Sequence, residues 1–333
     1  MLQGRLHRSR RFLQRAKSLS VLVSLMLGTT THVMAKSSLD PAIGWDGGRL
    51  ETGRSAALSG SDIAVSNSIS ALFGNPANMA ASRVYHVGAF AAIWPEASRQ
   101  TYGAAVVDSS TSSSNVTAGL AGAWSQQDSD GLKRRGTDLR ASLAFPFSEK
   151  FRIGASLKYL SFSQGGSGPL GSSSVSAGLD GEPIVRDFGI DAGLVLQPVR
   201  YFSLGLLGIN LNNPGNGFLP LRAGAGIGGG TNEFTLEADV LADFTTWDKT
   251  RLMAQAGGEL LVADKFPLRL GYRYEEGLKT QWLSVGAGYV ENTMSLELAA
   301  RRTVAGPEAT AIVFSFTYHV ESSGVGSTAN GHY

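Results

Sequence analysis

The chain has 333 residues, 17% of them charged, with 42 glycines, no cysteine and a formal net charge of +2. The missing cysteines exclude disulfides and thiol chemistry. Beyond the N-terminal region no run approaches the roughly 20 apolar residues of a spanning helix, so a helical membrane protein is excluded and a β protein, soluble or membrane-inserted, remains.

In chain order, residues 1–17 carry Arg5, Arg8, Arg10, Arg11, Arg15 and Lys17 and no acid. An apolar stretch from Leu19 to Leu27 follows, then the small-x-small pattern Val33-Met34-Ala35. This is the pattern of a secretory signal peptide, residues 1–35, cleaved near Ala35. Its removal takes six of the 29 basic residues and leaves 23 against 27 acids. The mature charge is then about −4, and nucleic-acid binding has no electrostatic support.

Residues 36–82 lack strand alternation. They hold Gly53-Arg54-Ser55-Ala56-Ala57-Leu58-Ser59-Gly60 and end near Asn75-Pro76-Ala77. Asn75 reads as a helix N-cap followed by proline at the first helical position. The expectation is a compact plug of short helices.

From residue 83 onward, apolar and polar residues alternate with the period of a strand. Fourteen segments of about ten residues are predicted: 83–93, 99–108, 115–125, 136–146, 151–162, 187–197, 201–211, 219–229, 232–243, 250–263, 266–275, 281–290, 293–303 and 308–320. Glu233–Asp243 is the clearest: Phe234, Leu236, Ala238 and Val240 share one face, and Thr235, Glu237 and Asp239 the other. A polar face of this kind suits a wet lumen, with the apolar face toward lipid. Segment 201–211 loses phase after Leu206, which predicts a bulge there. Tight turns alternate with longer loops, the longest being 163–186. Residues 321–333 read as a polar tail. The predicted fold class is all-β, a membrane β-barrel of about 14 antiparallel strands over 83–320, with the 36–82 segment in its lumen.

The Gly53, Arg54, Ser55, Ala56, Gly60 stretch, the Asn75-Pro76-Ala77 step and Leu268-Arg269-Leu270-Gly271-Tyr272 together resemble the FadL/TodX long-chain fatty-acid transporter superfamily, including its shorter PorV/PorQ-like branch. The resemblance implies a plugged outer-membrane barrel of a Gram-negative-type bacterium that moves small, fatty-acid-like hydrophobic molecules. The alternative it implies is a PorV-like docking or shuttle component for secreted proteins. Its plug motif maps to Gly53, Arg54, Gly60, Asn75, Pro76 and Ala77. This chain departs from the transporters in its Gly/Ser-rich 163–186 loop.

Ile63, Val65, Ile69, Leu72, Phe73 and Met79 form a candidate hydrophobic ligand pocket between plug and wall, or else a small core. By phase, Arg140, Arg152, Lys158, Asp191, Glu237, Asp239, Arg251, Glu259, Arg273, Glu297 and Arg301 face inward as a mixed-charge network, in which Arg54 is expected to find carboxylate partners. His86 and His319 are too few ligands to specify a metal. No catalytic constellation is present, so no enzyme activity, metal or cofactor is expected. The expected partners are outer-membrane lipid, the barrel-assembly machinery, and a hydrophobic small molecule or secreted protein.

Overall fold

A computed structural model of the chain describes residues 49–110, 115–128, 133–165 and 183–320. The predicted signal peptide, residues 36–48 and the 321–333 tail lie outside the described residues. The strands are β1 (Tyr85–Trp94), β2 (Arg99–Asp108), β3 (Thr117–Gln127), β4 (Arg134–Ser148), β5 (Phe151–Gln164), β6 (Pro183–Val199) and β7 (Phe202–Ile209). They continue as β8 (Arg222–Gly230), β9 (Phe234–Asp243), β10 (Arg251–Val262), β11 (Phe266–Glu275), β12 (Thr280–Val290), β13 (Met294–Ala305) and β14 (Thr310–His319). Each pairs with its neighbours in sequence, and β1 pairs with β14, closing a fourteen-stranded antiparallel barrel. The closing register runs from His86↔His319 to Ile93↔Ile312.

Alternation explains both faces. In β9, Leu236 and Val240 point outward while Glu237, Asp239 and Asp243 are buried inside. Leu120, Leu139, Leu157, Ile227, Leu270 and Leu298 continue the apolar outer belt. Aromatic residues flank it, with Phe147, Tyr201, Phe234 and Phe266 exposed at one end and Tyr102, Trp124, Tyr272 and Tyr274 toward the other. An apolar band between aromatic girdles is the outer surface of a membrane barrel.

Two expectations change. No bulge falls at Leu206: the register of β7 with β8 is unbroken from Phe202 to Ile209, and its register with β6 shifts only between Leu196 and Val199, opposite the start of β7. Leu206 points out and Leu207 points in, where it packs with Ile63, Leu241 and Met253. The apparent loss of phase is an apolar residue placed inside to meet the plug. Strands β4, β5 and β6 also extend past their predicted ends, so the connection read as 163–186 shortens to 165–182.

Residues 49–82 fill the lumen with a helix at Gly53–Ala57, a second at Ser68–Phe73 and a 3-10 turn at Pro76–Ala81. The Thr52 side chain caps the first helix in a reciprocal capping box with Ser55. Asn75 caps the 3-10 turn by accepting from the Ala77 N–H, with Pro76 at its first position. The first helix lies against β11–β14, the second against β1–β3 and the 3-10 turn against β3–β6.

Close approach depends on glycines facing inward. A Cβ at Gly154 would lie 2.5 Å from the Ala77 nitrogen and the Pro76 carbonyl carbon, and one at Gly271 2.5 Å from the Leu58 carbonyl carbon. Overpacking of this kind costs about 1–3 kcal/mol, and here it falls on the plug's backbone. Gly154→Val should leave a closed barrel with normal heat-modifiable migration but raise the conductance in planar bilayers by loosening the 76–81 turn. Unchanged conductance would contradict this packing role.

Candidate functional site: the plug seat in the lumen

The plug enters the lumen as backbone that carries its own polar groups, and buried N–H groups need partners. Two β9 carboxylates supply them for the Asp62–Val65 stretch. Asp239 Oδ2 accepts from the backbone N–H of Asp62 (2.9 Å) and Ile63 (3.2 Å). Glu237 Oε1, two residues along on the same face, accepts from Ala64 (2.6 Å) and Val65 (2.9 Å). A strand with inward acids at successive alternate positions thus reads four successive amides of the plug.

Asn75 fixes the other side of the same stretch. Its Nδ2 donates to the Ile63 carbonyl at 2.8 Å and to the strand carbonyls of Leu194 and Leu206 at 3.3 and 3.2 Å. Asn78 Nδ2 also reaches the Ile63 carbonyl, at 3.3 Å. The Asn-Pro-Ala step therefore caps a turn and ties plug to wall with one side chain.

Ion pairs complete the seat. Arg54 donates its backbone N–H to Glu297 at 3.2 Å, and its Nε lies 3.5 Å from Glu259. Arg269 bridges the same two acids, reaching Glu259 at 2.5 Å and Glu297 at 2.9 Å. Arg301 holds Glu51 of the plug through both guanidinium nitrogens, at 3.0 and 2.7 Å. Arg49 pairs with Asp62. Burial pushes the Asp62 carboxyl up to about 6, against the downward pull of Arg49. Pairs within the wall are Arg140–Asp138, Lys158–Asp191, Arg222–Asp243 and Arg273–Glu275.

The sequence-predicted residues fall into place unevenly. Arg140, Arg152, Lys158, Asp191, Glu237, Asp239, Arg273 and Arg301 are buried inside the barrel. Arg251 has the inward phase but lies at the first residue of β10, where it pairs with Glu276 at 2.9 Å on a half-exposed rim. Phase fixes a face and says nothing of depth. Glu51, Arg49 and Asp62 were missed because the plug has no periodicity to expose their orientation. Asp138, Arg222 and Arg269, also buried inside, are absent from the sequence-predicted network although their inward phase would have marked them.

Ile69, Leu72, Phe73 and Met79 are buried in one cluster with the wall residues Phe90, Ala105, Val107, Ala123 and Ala144. Ile63 packs separately with Leu207, Leu241 and Met253, and Val65 is half-buried. These residues fill space. The cavity beside Phe73, bounded by Arg49, Arg140, Lys158, Asp191 and Arg222, holds only about 20 Å³. Gly224, Gly226 and Gly228 lie against Ile63, Ala64 and Val65, so the glycine run serves close packing. His86 and His319 stack with centroids 4.3 Å apart at the barrel seam, and His86 Nδ1 meets the Ser68 hydroxyl of the plug. Among the described residues no group of three or more potential metal ligands occurs.

No family model matches the chain, and no curated protein matches it in sequence. Solved structures match it in fold. The CymD monoaromatic hydrocarbon channel superimposes with a TM-score of 0.62 at 15% identity, over 81% of this chain and 98% of that one. The toluene transporter TodX of Pseudomonas putida gives 0.59 at 15% identity, over 81% and 98%. A FadL homologue of Pseudomonas aeruginosa gives 0.56 at 15% identity, over 80% and 98%. The chain has the FadL/TodX barrel fold.

Asp239→Ala should strand two buried plug amides, at about 1–3 kcal/mol for each unsatisfied group. Hydrogen exchange at Asp62 and Ile63 should then accelerate at least about tenfold, each 1.4 kcal/mol being a factor of ten. Unaltered protection would contradict the seat.

Proposed function

We propose that the chain is an outer-membrane β-barrel that passes small hydrophobic molecules inward, closed at rest by its plug and opened when the plug is displaced. The carrying observation is a lumen filled by residues 49–82, which leaves a cavity of about 20 Å³ beside Phe73. A water-filled pore for general solutes does not fit that filling. The fold likeness to monoaromatic hydrocarbon channels supports hydrophobic cargo. The pairing of β2 with β3 and of β3 with β4 is continuous through the described register, so the route inward follows the plug and not a gap in that part of the wall. The docking alternative has no observation of its own.

In this mechanism the charged wall has a defined role. Removing one partner of a buried ion pair costs about 3–5 kcal/mol, so the plug stays seated unless its lost contacts are replaced. Arg54 and Glu51 hold the first helix, Glu237 and Asp239 the stretch after it, and Asn75 the last turn. Release can begin at one of these anchors without breaking the others.

Vesicles containing the protein should accumulate toluene or a long-chain fatty acid faster than protein-free vesicles, while the intact chain conducts few ions. Deletion of residues 49–82 should produce an ion-conducting pore. Uptake equal to that of empty vesicles for both cargoes would overturn the transport reading.

A further inference from the structure

The outer wall carries a feature that neither the plug nor the lumen uses. Across β2–β5 the outward positions Ala104, Gly122 and Ala141 are small, and Leu120, Leu139 and Leu157 stand around them. The result is an open apolar groove of about 630 Å³ on the lipid-facing side. Tyr102 and Trp124 stack at 6.4 Å beside it, on the outer face of β2 and β3.

Two arginines stand above the groove, toward one end of the barrel. Arg135 lies on the outer face of β4, four residues from Leu139, and Arg186 on that of β6, two residues from Phe188. Strand β5 runs between them, with Ser163 opposite Arg135 and Ser161 opposite Arg186 in register. Two strand spacings and a two-residue offset put their Cα atoms about 12 Å apart, so the long side chains can converge on one group. Both arginines are exposed, and neither has a hydrogen bond or ion pair with another described residue. The outward positions around them, Gln126, Thr137, Ser161 and Ser163, add amide and hydroxyl groups and no acid. By contrast, Arg302 on the outer face of β13 has Glu308 at 3.9 Å.

Unpaired cations at head-group level attract anionic lipid, and the arginine fork matches phosphate oxygens. The 165–182 connection leaves from this end of the barrel, and the longer loops of such barrels face the outside. The head groups at Arg135 and Arg186 therefore belong to the outer leaflet. Arg135 lies about 13 Å along the strand from Leu139, so charge and apolar groove are separated as in a phosphorylated lipid.

We propose that the outer face of β2–β6 is a binding site for the phosphorylated glycolipid of the outer leaflet. Arg135 and Arg186 grip a head-group phosphate, and an acyl chain lies in the groove floored by Ala104, Gly122 and Ala141. Gln126, Thr137 and the two serines suit the hydroxyls of a sugar head group. The inference rests on the outer-membrane placement proposed above and not on transport.

The test uses the full mature chain in detergent and native mass spectrometry to measure bound lipid. The probes are bisphosphorylated lipid A, lipid A stripped of its phosphates, and phosphatidylglycerol. The unaltered protein should retain bisphosphorylated lipid A most tightly. Arg135→Ala with Arg186→Ala should weaken that binding about tenfold or more, because two charge-assisted contacts are lost, and leave the stripped lipid unchanged. Ala141→Trp, which fills the groove from an exposed position, should weaken both forms of lipid A. Heat-modifiable migration checks that each variant forms a closed barrel. Equal retention of lipid A with and without its phosphates would overturn the proposal, as would phosphatidylglycerol bound as tightly as lipid A. Absence of the chain from the outer-membrane fraction would sink the placement and this inference together. Lipid A held through the two arginines, with no uptake of toluene or fatty acid, would sink the transport reading and leave the site standing.

Discussion

A closed sheet of fourteen strands encloses more space than its own inward side chains fill, since filling by side chains alone works only near eight strands. Something must occupy the remainder, and any polypeptide that does so brings backbone N–H and C=O groups that need partners. The rest of the structure follows from that requirement. Glu237 and Asp239 take four plug amides, Asn75 returns hydrogen bonds to strand carbonyls, and inward glycines such as Gly154 and Gly271 let backbone meet backbone.

The charges inside the barrel follow from the same requirement. They are mixed in sign and mostly paired at close range, as in Lys158–Asp191 and Arg269 with Glu259 and Glu297. Such pairs are expensive to break singly and contribute little when replaced as a whole. That asymmetry suits a plug that stays in place until an incoming group substitutes for one of its anchors. The apolar plug residues play the complementary part: Leu72, Phe73 and Met79 interlock with Phe90 and Val107 in one buried cluster.

Strand number, closure and the wet face of β9 were legible because a period of two exposes orientation directly. Leu207 and Leu241 broke the expected polarity because the lumen is partly dry where Ile63 sits, and alternation cannot show where a plug will touch. Arg251 had the right phase but sits at the rim, because phase carries no depth. In the plug, Asn75-Pro76 was readable as a cap, whereas Glu51 was not, because its partner Arg301 lies 250 residues away on the wall, and Asp62 was not, because its carboxylate meets Arg49 in a segment without periodicity and its backbone N–H meets Asp239, 177 residues away. The indoles of Trp94 and Trp282 come from strands far apart in the chain and meet only through closure of the barrel.

The central claim is that passage requires the plug to leave its seat. Ser59 of the plug and Ser284 of β12 place their hydroxyls 2.7 Å apart, both buried. The chain has no cysteine, so Ser59→Cys with Ser284→Cys gives a single lock between plug and wall. Uptake of a hydrophobic cargo into vesicles should stop when this pair is oxidised and return on reduction. Undiminished uptake through the oxidised, cross-linked protein would contradict the account.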